Sequence, residues 1–337
     1  MSATAISTPN IALIKYWGNR SNELRLPAAD SLSMTLNTPT VEITVDYAED
    51  LIIRSYESDG AEREMTEKHM ARFAKHLELT RQYLTQIGAE DAIPASVQLT
   101  IRSGIPPGVG LASSAAVFSA VAKAYVGLIA SSIILTDEQT SVIARLGSGS
   151  AARSIFGGFV TLENTGRNGM DGAVAKQVAS EDHWLLHDIV IIPSYDEKKV
   201  GSTEGHAIAQ TSPHFMERIE AIGSYRQKDC IDAILAKDFE KLQKVAEEDS
   251  LNMHHVMETS SPPLQYLTQD THRIVDAVTR LREEGHLPVL YTMDAGPTVH
   301  LLCTDEARMQ IVDFAHAQEG CTIFEASVGS GSKIIQK

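Results

Sequence analysis

Pro106-Pro107-Gly108-Val109-Gly110-Leu111-Ala112-Ser113-Ser114-Ala115 runs from a Pro/Gly loop straight into an apolar, alanine-rich helix. The glycines let backbone N–H groups turn toward a ligand, and the two serines add hydroxyls. The unpaired N–H groups and positive dipole end of the helix favour phosphate. A nucleotide is the first ligand such a cradle suggests. The loop carries no Gly-Lys-Ser/Thr and is not GxGxxG, which sets aside the two commonest phosphate loops. Taken alone, it reads equally as a helix that starts after a Pro/Gly turn.

Outward from the loop, the apolar character of Ser113 to Ile129 on nearly all sides predicts a helix buried over most of its surface, and Thr136-Asp137-Glu138 opens another with a good N-terminal cap. Alternation in 41–46 and 96–101 predicts half-buried strands, and 65–88 has helical spacing. A strand is expected near Phe159 to Leu162. From about His187 the pattern restarts with a buried-strand signal at 188–193. Two long helical stretches near 213–224 and 231–257 follow, then a helix around 270–285 and strands at 289–293 and 299–302 on either side of Asp294-Ala295-Gly296-Pro297. Strand runs mixed with helices, without regular βαβ alternation, indicate an α+β protein. The expected division is into lobes 1–185 and 186–337.

The chain has 337 residues, 43% of them hydrophobic, and a formal net charge of −15. That charge disfavours nucleic acid or an anionic membrane as partner, because either needs a basic stripe to displace counterions. A phosphorylated ligand must then be held by a local positive patch. The three cysteines have no CxxC spacing, no secretory signal is visible at 1–9, and no run approaches a membrane span. A cytoplasmic protein is expected. The twelve histidines include no HExxH motif, so no metal site is expected from protein ligands.

Three further segments carry candidate chemistry. Asn10-Ile11-Ala12-Leu13-Ile14-Lys15-Tyr16-Trp17-Gly18 sets a lysine among apolar neighbours; in strand geometry Lys15 faces opposite to Ile14 and Tyr16, which would let it snorkel to solvent. Arg145-Leu146-Gly147-Ser148-Gly149-Ser150-Ala151-Ala152-Arg153 sets hydroxyls and arginine around a flexible turn, a composition suited to carboxylate or phosphate oxygens. Asp294 stands at a strand end beside a Gly-Pro turn. Aspartate there is usually structural; catalysis becomes attractive if the fold brings Lys15 near.

In this order, with Leu26 to Leu36 and Ser202 to Gly205, these segments resemble the mevalonate diphosphate decarboxylases, a branch of the GHMP kinase superfamily. The resemblance spans nearly the whole chain. It implies a GHMP kinase fold: a ribosomal-S5-like N-terminal lobe, an α+β C-terminal lobe, and the active site between them. It also implies a homodimer, and ATP with its Mg²⁺ on the loop formed by Pro106, Gly108, Gly110, Leu111, Ala112, Ser113 and Ser114. The implied catalytic residues are Asp294, Lys15 and Arg153. The implied substrate contacts are Asn10, Ala12, Tyr16, Ser148, Ser150, Arg153 and Ser202.

The family phosphorylates the 3-hydroxyl of a phosphorylated mevalonate, expels that phosphate and releases CO2. Two positions depart from it: Asn19 replaces the Lys after Tyr-Trp-Gly, and Thr203 replaces the Arg after Ser202. Charge-assisted hydrogen bonds contribute about 1.5–3 kcal/mol each, so losing two weakens a diphosphate by roughly 10²–10⁴-fold. The expected substrate is therefore 5-phosphomevalonate, giving isopentenyl phosphate, with mevalonate 5-diphosphate as the alternative and a non-catalytic GHMP-fold binding protein as the less favoured reading. Arg20, Lys198 and Lys199 are the candidates to reach a distal phosphate, and His206 either joins the phosphate clamp or lies on the surface.

Overall fold

The computed structural model describes residues 2–57, 59–105, 113–193 and 201–336. A six-stranded sheet is built in the order Lys333–Gln336, Ser2–Ser7, Val41–Ala48, Ser96–Ser103, Ile52–Tyr56, Glu62–Arg63; only the pairing of Ile52–Tyr56 with Ser96–Ser103 is parallel. The period-two pattern is realised as expected. Val41, Ile43, Val45, Val97, Leu99 and Ile101 all point into the core, and Ile43 pairs with Ile101. Three helices complete this core: α1 (Glu67–Gln86), α2 (Ser113–Leu128) and α3 (Asp137–Gly147). Thr136 begins α3 with a full capping box to Gln139.

A second sheet is antiparallel in the order Ala173–Ala179, Phe159–Asn164, Ser31–Thr35, Asn10–Ile14. Every residue of the last two strands is buried. A third antiparallel sheet follows the order Val289–Thr292, Val299–Thr304, Leu186–Ile192, Thr322–Ser327. Between the second and third sheets lies one apolar cluster that joins Ile11, Leu13 and Met34 to Leu242, Val245, Leu290 and Leu302. The ends of the strands at 10–14 and 289–292 are thereby held in one packed body.

The helical stretches after residue 200 are α4 (Ser202–Ile208), α5 (Phe215–Ala221), α6 (Gln227–Ala236), α7 (Phe239–Glu258), α8 (Gln269–Gly285) and α9 (Arg308–His316). The reading of 213–224 and 231–257 as two continuous helices is corrected here. A π turn at Ile222–Arg226 carries α5 into α6, and Lys237 adopts φ 56° before Asp238 caps α7 by accepting from Lys241 N–H at 3.0 Å. Apolar periodicity continues across so short a break and hides it.

The turn at 147–150 is not flexible. Gly147 ends α3, and Gly149–Ile155 forms a 3₁₀ stretch. A Cβ at Gly149 would lie 2.1 Å from the Tyr16 ring, and one at Gly147 would lie 2.1 Å from Phe118. Glycine here permits close packing and not motion.

Candidate active site

Lys15 follows directly on the buried strand Asn10–Ile14. It does not snorkel outward: only 2% exposed, it turns inward and places Nζ 2.6 Å from Asp294 Oδ1. The cause lies 203 and 234 residues further along the chain. Asp249 Oδ2 on α7 accepts from the Lys15 N–H at 2.7 Å, and Arg218 Nη2 on α5 donates to the Lys15 carbonyl at 3.1 Å. Arg218 and Asp249, both fully buried, are themselves paired at 2.9 Å. One buried ion pair thus grips both backbone polar groups of Lys15 and fixes the direction of its side chain. Burial pushes the lysine ammonium below its usual pKa, and Asp294 is the largest influence opposing that shift.

Asp294 sits just past Val289–Thr292, with its carboxylate partly open to the cleft. Ser250 on α7 bonds both N–H and C=O of Met293, and Thr271 on α8 donates to the Pro297 carbonyl at 2.9 Å, so the turn is pinned on either side. His254, buried on α7 beside this pair, is held neutral: burial first, and then the Lys15 charge, take its pKa down to about 4.

Arg153 is 1% exposed. Its Nε donates to Ser33 Oγ at 2.9 Å, Nη1 to Ser31 Oγ at 2.6 Å and Nη2 to Asn10 Oδ1 at 3.3 Å. Asn10 in turn donates to the Ser150 carbonyl and to Ser154 Oγ. Every one of these acceptors is neutral. Burial takes the guanidinium pKa down to about 10, and the Asp294 charge is the largest influence raising it. A buried cation without a carboxylate among its hydrogen-bond partners is arranged to receive an anion.

The Tyr16 ring packs on Gly149 and on His206, with ring centroids 4.4 Å apart, and its hydroxyl donates to Asn19 Oδ1. Burial pushes its pKa up to about 12. Ser148 Oγ lies 3.0 Å from Ser114 Oγ and 3.4 Å from Ser150 Oγ, which brings the start of α2 to the same wall. Ser113 is exposed on the first turn of α2, a turn without acidic residues. Ala12 is buried in its strand. Ser202 and Thr203 are exposed at the start of α4. Pro106, Gly108, Gly110, Leu111 and Ala112, together with Lys198 and Lys199, lie outside the described residues.

Two candidates for the distal phosphate are corrected. Arg20 spends its donors on Asn164, Asn168 and the carbonyls of Arg167 and Gly172. His206 is half-buried and engaged: packed between Tyr16 and Trp17, it accepts from the Gly18 N–H at 3.0 Å through Nδ1, and desolvation lowers its pKa to about 3, so it brings no charge. Sequence reading also missed Arg218 and Asp249, which no local pattern marks. Ser31 and Ser33 lie within the stretch Leu26 to Leu36, where sequence alone marks no role for them.

Comparison with known proteins bears on the family and the fold. Residues 7–174 match a diphosphomevalonate decarboxylase-like N-terminal domain, and residues 188–328 match a mevalonate 5-diphosphate decarboxylase C-terminal domain. The diphosphomevalonate decarboxylase of Bos taurus is 32% identical over 322 residues, 92% of this chain and 78% of the relative; that of Homo sapiens is 31% identical over 324 residues, 92% and 79%. The crystal structure of mevalonate diphosphate decarboxylase from Staphylococcus aureus superposes with a TM-score of 0.86 at 30% identity, covering 99% of this chain and 98% of that one. A complex of MDDEF with MVAPP, AMPPCP and magnesium superposes with a TM-score of 0.85 at 28% identity, covering 100% and 99%. With its α+β architecture in the GHMP kinase fold, this chain belongs to the mevalonate diphosphate decarboxylase family of the GHMP kinase superfamily.

Proposed function

We propose that this chain is an ATP-dependent decarboxylase of a 5-phosphorylated mevalonate. The observation that carries the reading is the Lys15–Asp294 pair beside Arg153, a buried cation bonded only to neutral acceptors. Arg153 receives the substrate carboxylate, steadied by Asn10, Ser31 and Ser33. Asp294 meets the 3-hydroxyl and either takes its proton or orients it, and Lys15 keeps that carboxylate ionised and attends the transferring phosphoryl group. Tyr16, Ser148, Ser150 and Ser202 serve the substrate's hydroxyl and phosphate oxygens.

ATP with Mg²⁺ is the phosphoryl donor. The fit is supported by the first turn of α2, which has an exposed Ser113, Ser114 beside Ser148 and no acidic residue; there the helix N–H groups suit phosphate. The γ-phosphoryl group passes to the 3-oxygen, and the hydroxyl proton goes to Asp294 or water. The C3–O bond then breaks with the phosphate. The electrons of the bond to the departing CO2 become the alkene.

The names of the relatives favour the 5-diphosphate over the 5-phosphate expected from sequence. What favours the 5-phosphate is Asn19 and Thr203 in place of two cations, with Arg20 fully engaged elsewhere. We keep the monophosphate, yielding isopentenyl phosphate, as the proposed substrate and the diphosphate as the second reading. ATP-dependent CO2 release from mevalonate, its 5-phosphate and its 5-diphosphate, measured side by side, decides; a higher kcat/KM for the diphosphate overturns the first.

A division near residue 185 is also proposed, supported by the family matches that end at 174 and restart at 188; the strand Lys333–Gln336 rejoins the first sheet. Cytoplasmic placement and a homodimer belong to the proposal as well. The first rests on cysteines that are free among the described residues, the second on the family resemblance, and light scattering tests the second. No helix among the described residues is long and apolar enough to cross a membrane.

A further inference from the structure

We infer that Arg25 supplies the cation that meets the substrate's 5-phosphate, replacing across a small ribbon the charge absent at Asn19. The inference rests on the proposed substrate being a 5-phosphorylated mevalonate.

Asn19–Ser21 and Leu26–Pro27 form a two-stranded antiparallel ribbon in which Asn19 pairs with Pro27 and Ser21 with Leu26. Arg25 closes its turn with φ 48°, a left-handed backbone that arginine rarely adopts and that the surrounding structure must hold in place. The guanidinium is anchored at one point, Nε donating to the Leu146 carbonyl at 3.1 Å near the end of α3. Its two Nη groups have no partner among the described residues, although the side chain is half-buried. A fork pinned at Nε with both outer nitrogens available suits two oxygens of one phosphate.

The surroundings place that fork on the substrate wall. Arg25 is the foremost charge acting on Tyr16, whose hydroxyl reaches Asn19, and on His206, which stacks on Tyr16. Leu146, its anchor, lies three residues before Gly149, where the Tyr16 ring is in contact. The other basic groups of this wall are committed: Arg72 donates to the Gly147 carbonyl and lies over the Phe118 ring. Arg20 is bound elsewhere, His206 is neutral, and Arg145 donates to the carbonyls of Leu24 and Met170. A phosphate in front of Tyr16 therefore meets Arg25.

The test substitutes Arg25→Asn, because asparagine tolerates the left-handed backbone, and Arg25→Lys, which keeps a charge without the fork. Steady-state CO2 release is measured with whichever of the 5-phosphate or 5-diphosphate the wild-type protein uses with higher kcat/KM, while ATP is varied separately. Arg25→Asn is expected to raise KM for the phosphorylated mevalonate about 10- to 150-fold, with KM for ATP unchanged and a much smaller change in kcat. Arg25→Lys is expected to recover part of that loss, and carries the same test if Arg25→Asn does not accumulate as folded protein. An unchanged KM for the phosphorylated mevalonate overturns the inference, as does a rise confined to KM for ATP. A wild-type preference for the diphosphate overturns the monophosphate reading and leaves Arg25 to be judged by its own KM.

Discussion

Replacing Arg218 with methionine removes one half of the buried pair that grips Lys15 and tests whether that pair both stabilises the fold and aims the lysine. Arg218 donates to Asp249 Oδ2, to the Asp249 carbonyl, to Asn252 Oδ1 and to the Lys15 carbonyl, at 2.9 to 3.1 Å. Without it Asp249 keeps the Lys15 N–H at 2.7 Å and the more distant Arg226 at 3.6 Å. Breaking a buried pair by removing one partner costs about 3–5 kcal/mol. At roughly 2.1 cal/mol/K per residue, a chain of 337 residues loses about 4–7 °C in Tm for that energy. The double replacement Arg218→Met, Asp249→Leu removes the stranded charge and should restore most of the Tm, since apolar residues of similar volume often substitute for a buried pair without loss. It should not restore turnover. Lys15 then has neither backbone anchor, and a misplacement of about 1 Å at a reacting group can cost about 10²-fold in rate. Thermal melts and kcat for both variants provide the check. A single variant that melts within about 1 °C of wild type refutes the energetic argument; a double variant with full kcat refutes the positioning argument.

Three other outcomes follow from the same geometry. Asp294→Asn should lower kcat about 10²- to 10⁴-fold while ATP binding, measured by calorimetry, stays near wild type; near-normal turnover removes Asp294 from the mechanism. Arg153→Gln should abolish the rise in Tm that the phosphorylated mevalonate gives the wild-type protein, because it removes the receptor for the substrate carboxylate; an undiminished rise excludes that role. Acid should destabilise the protein early. His76 and His254 have pKa values lowered to about 4 and His206 to about 3, all chiefly by burial. Below pH 6.5 the unfolded chain protonates these rings and the folded chain does not, so stability falls with pH, by roughly 1.4 kcal/mol per pH unit for each histidine until its folded pKa is reached. Urea unfolding at pH 7 and pH 5.5 should differ by roughly 4 kcal/mol, and equal values refute the assignment of these rings as neutral.

What the sequence made legible was local. Alternation at 41–46 and 96–101, the apolar surround of 113–129 and the Thr136 cap each act within one element, and all three appear in the fold. The direction of Lys15 was not legible. A strand pattern allowed it to turn outward, and the groups that hold it inward are 203 and 234 residues further along. The break at Lys237 was hidden because periodicity survives a single left-handed residue followed by a new cap. The Gly/Ser turn looked flexible because composition cannot report the Tyr16 and Phe118 rings that press on it.

The charge argument shows the same limit. A net charge of −15 required that any phosphate be held by a local positive patch. Composition could not say where. Arg25, Arg72 and Arg145 all converge on the last turn of α3 and its surroundings, donating to the carbonyls of Leu146, Gly147, Leu24 and Met170, and Arg153 stands a few residues beyond on hydroxyls and an amide. Carbonyls and hydroxyls satisfy the N–H groups of a guanidinium but carry no net charge. Four arginines bonded in this way are therefore held in position with no carboxylate among their hydrogen-bond partners, which costs the fold desolvation energy. Pairing them with carboxylates would have relieved that cost and cancelled the field. In an acidic protein, neutral partners for these four arginines keep a site able to draw in an anion with several negative charges.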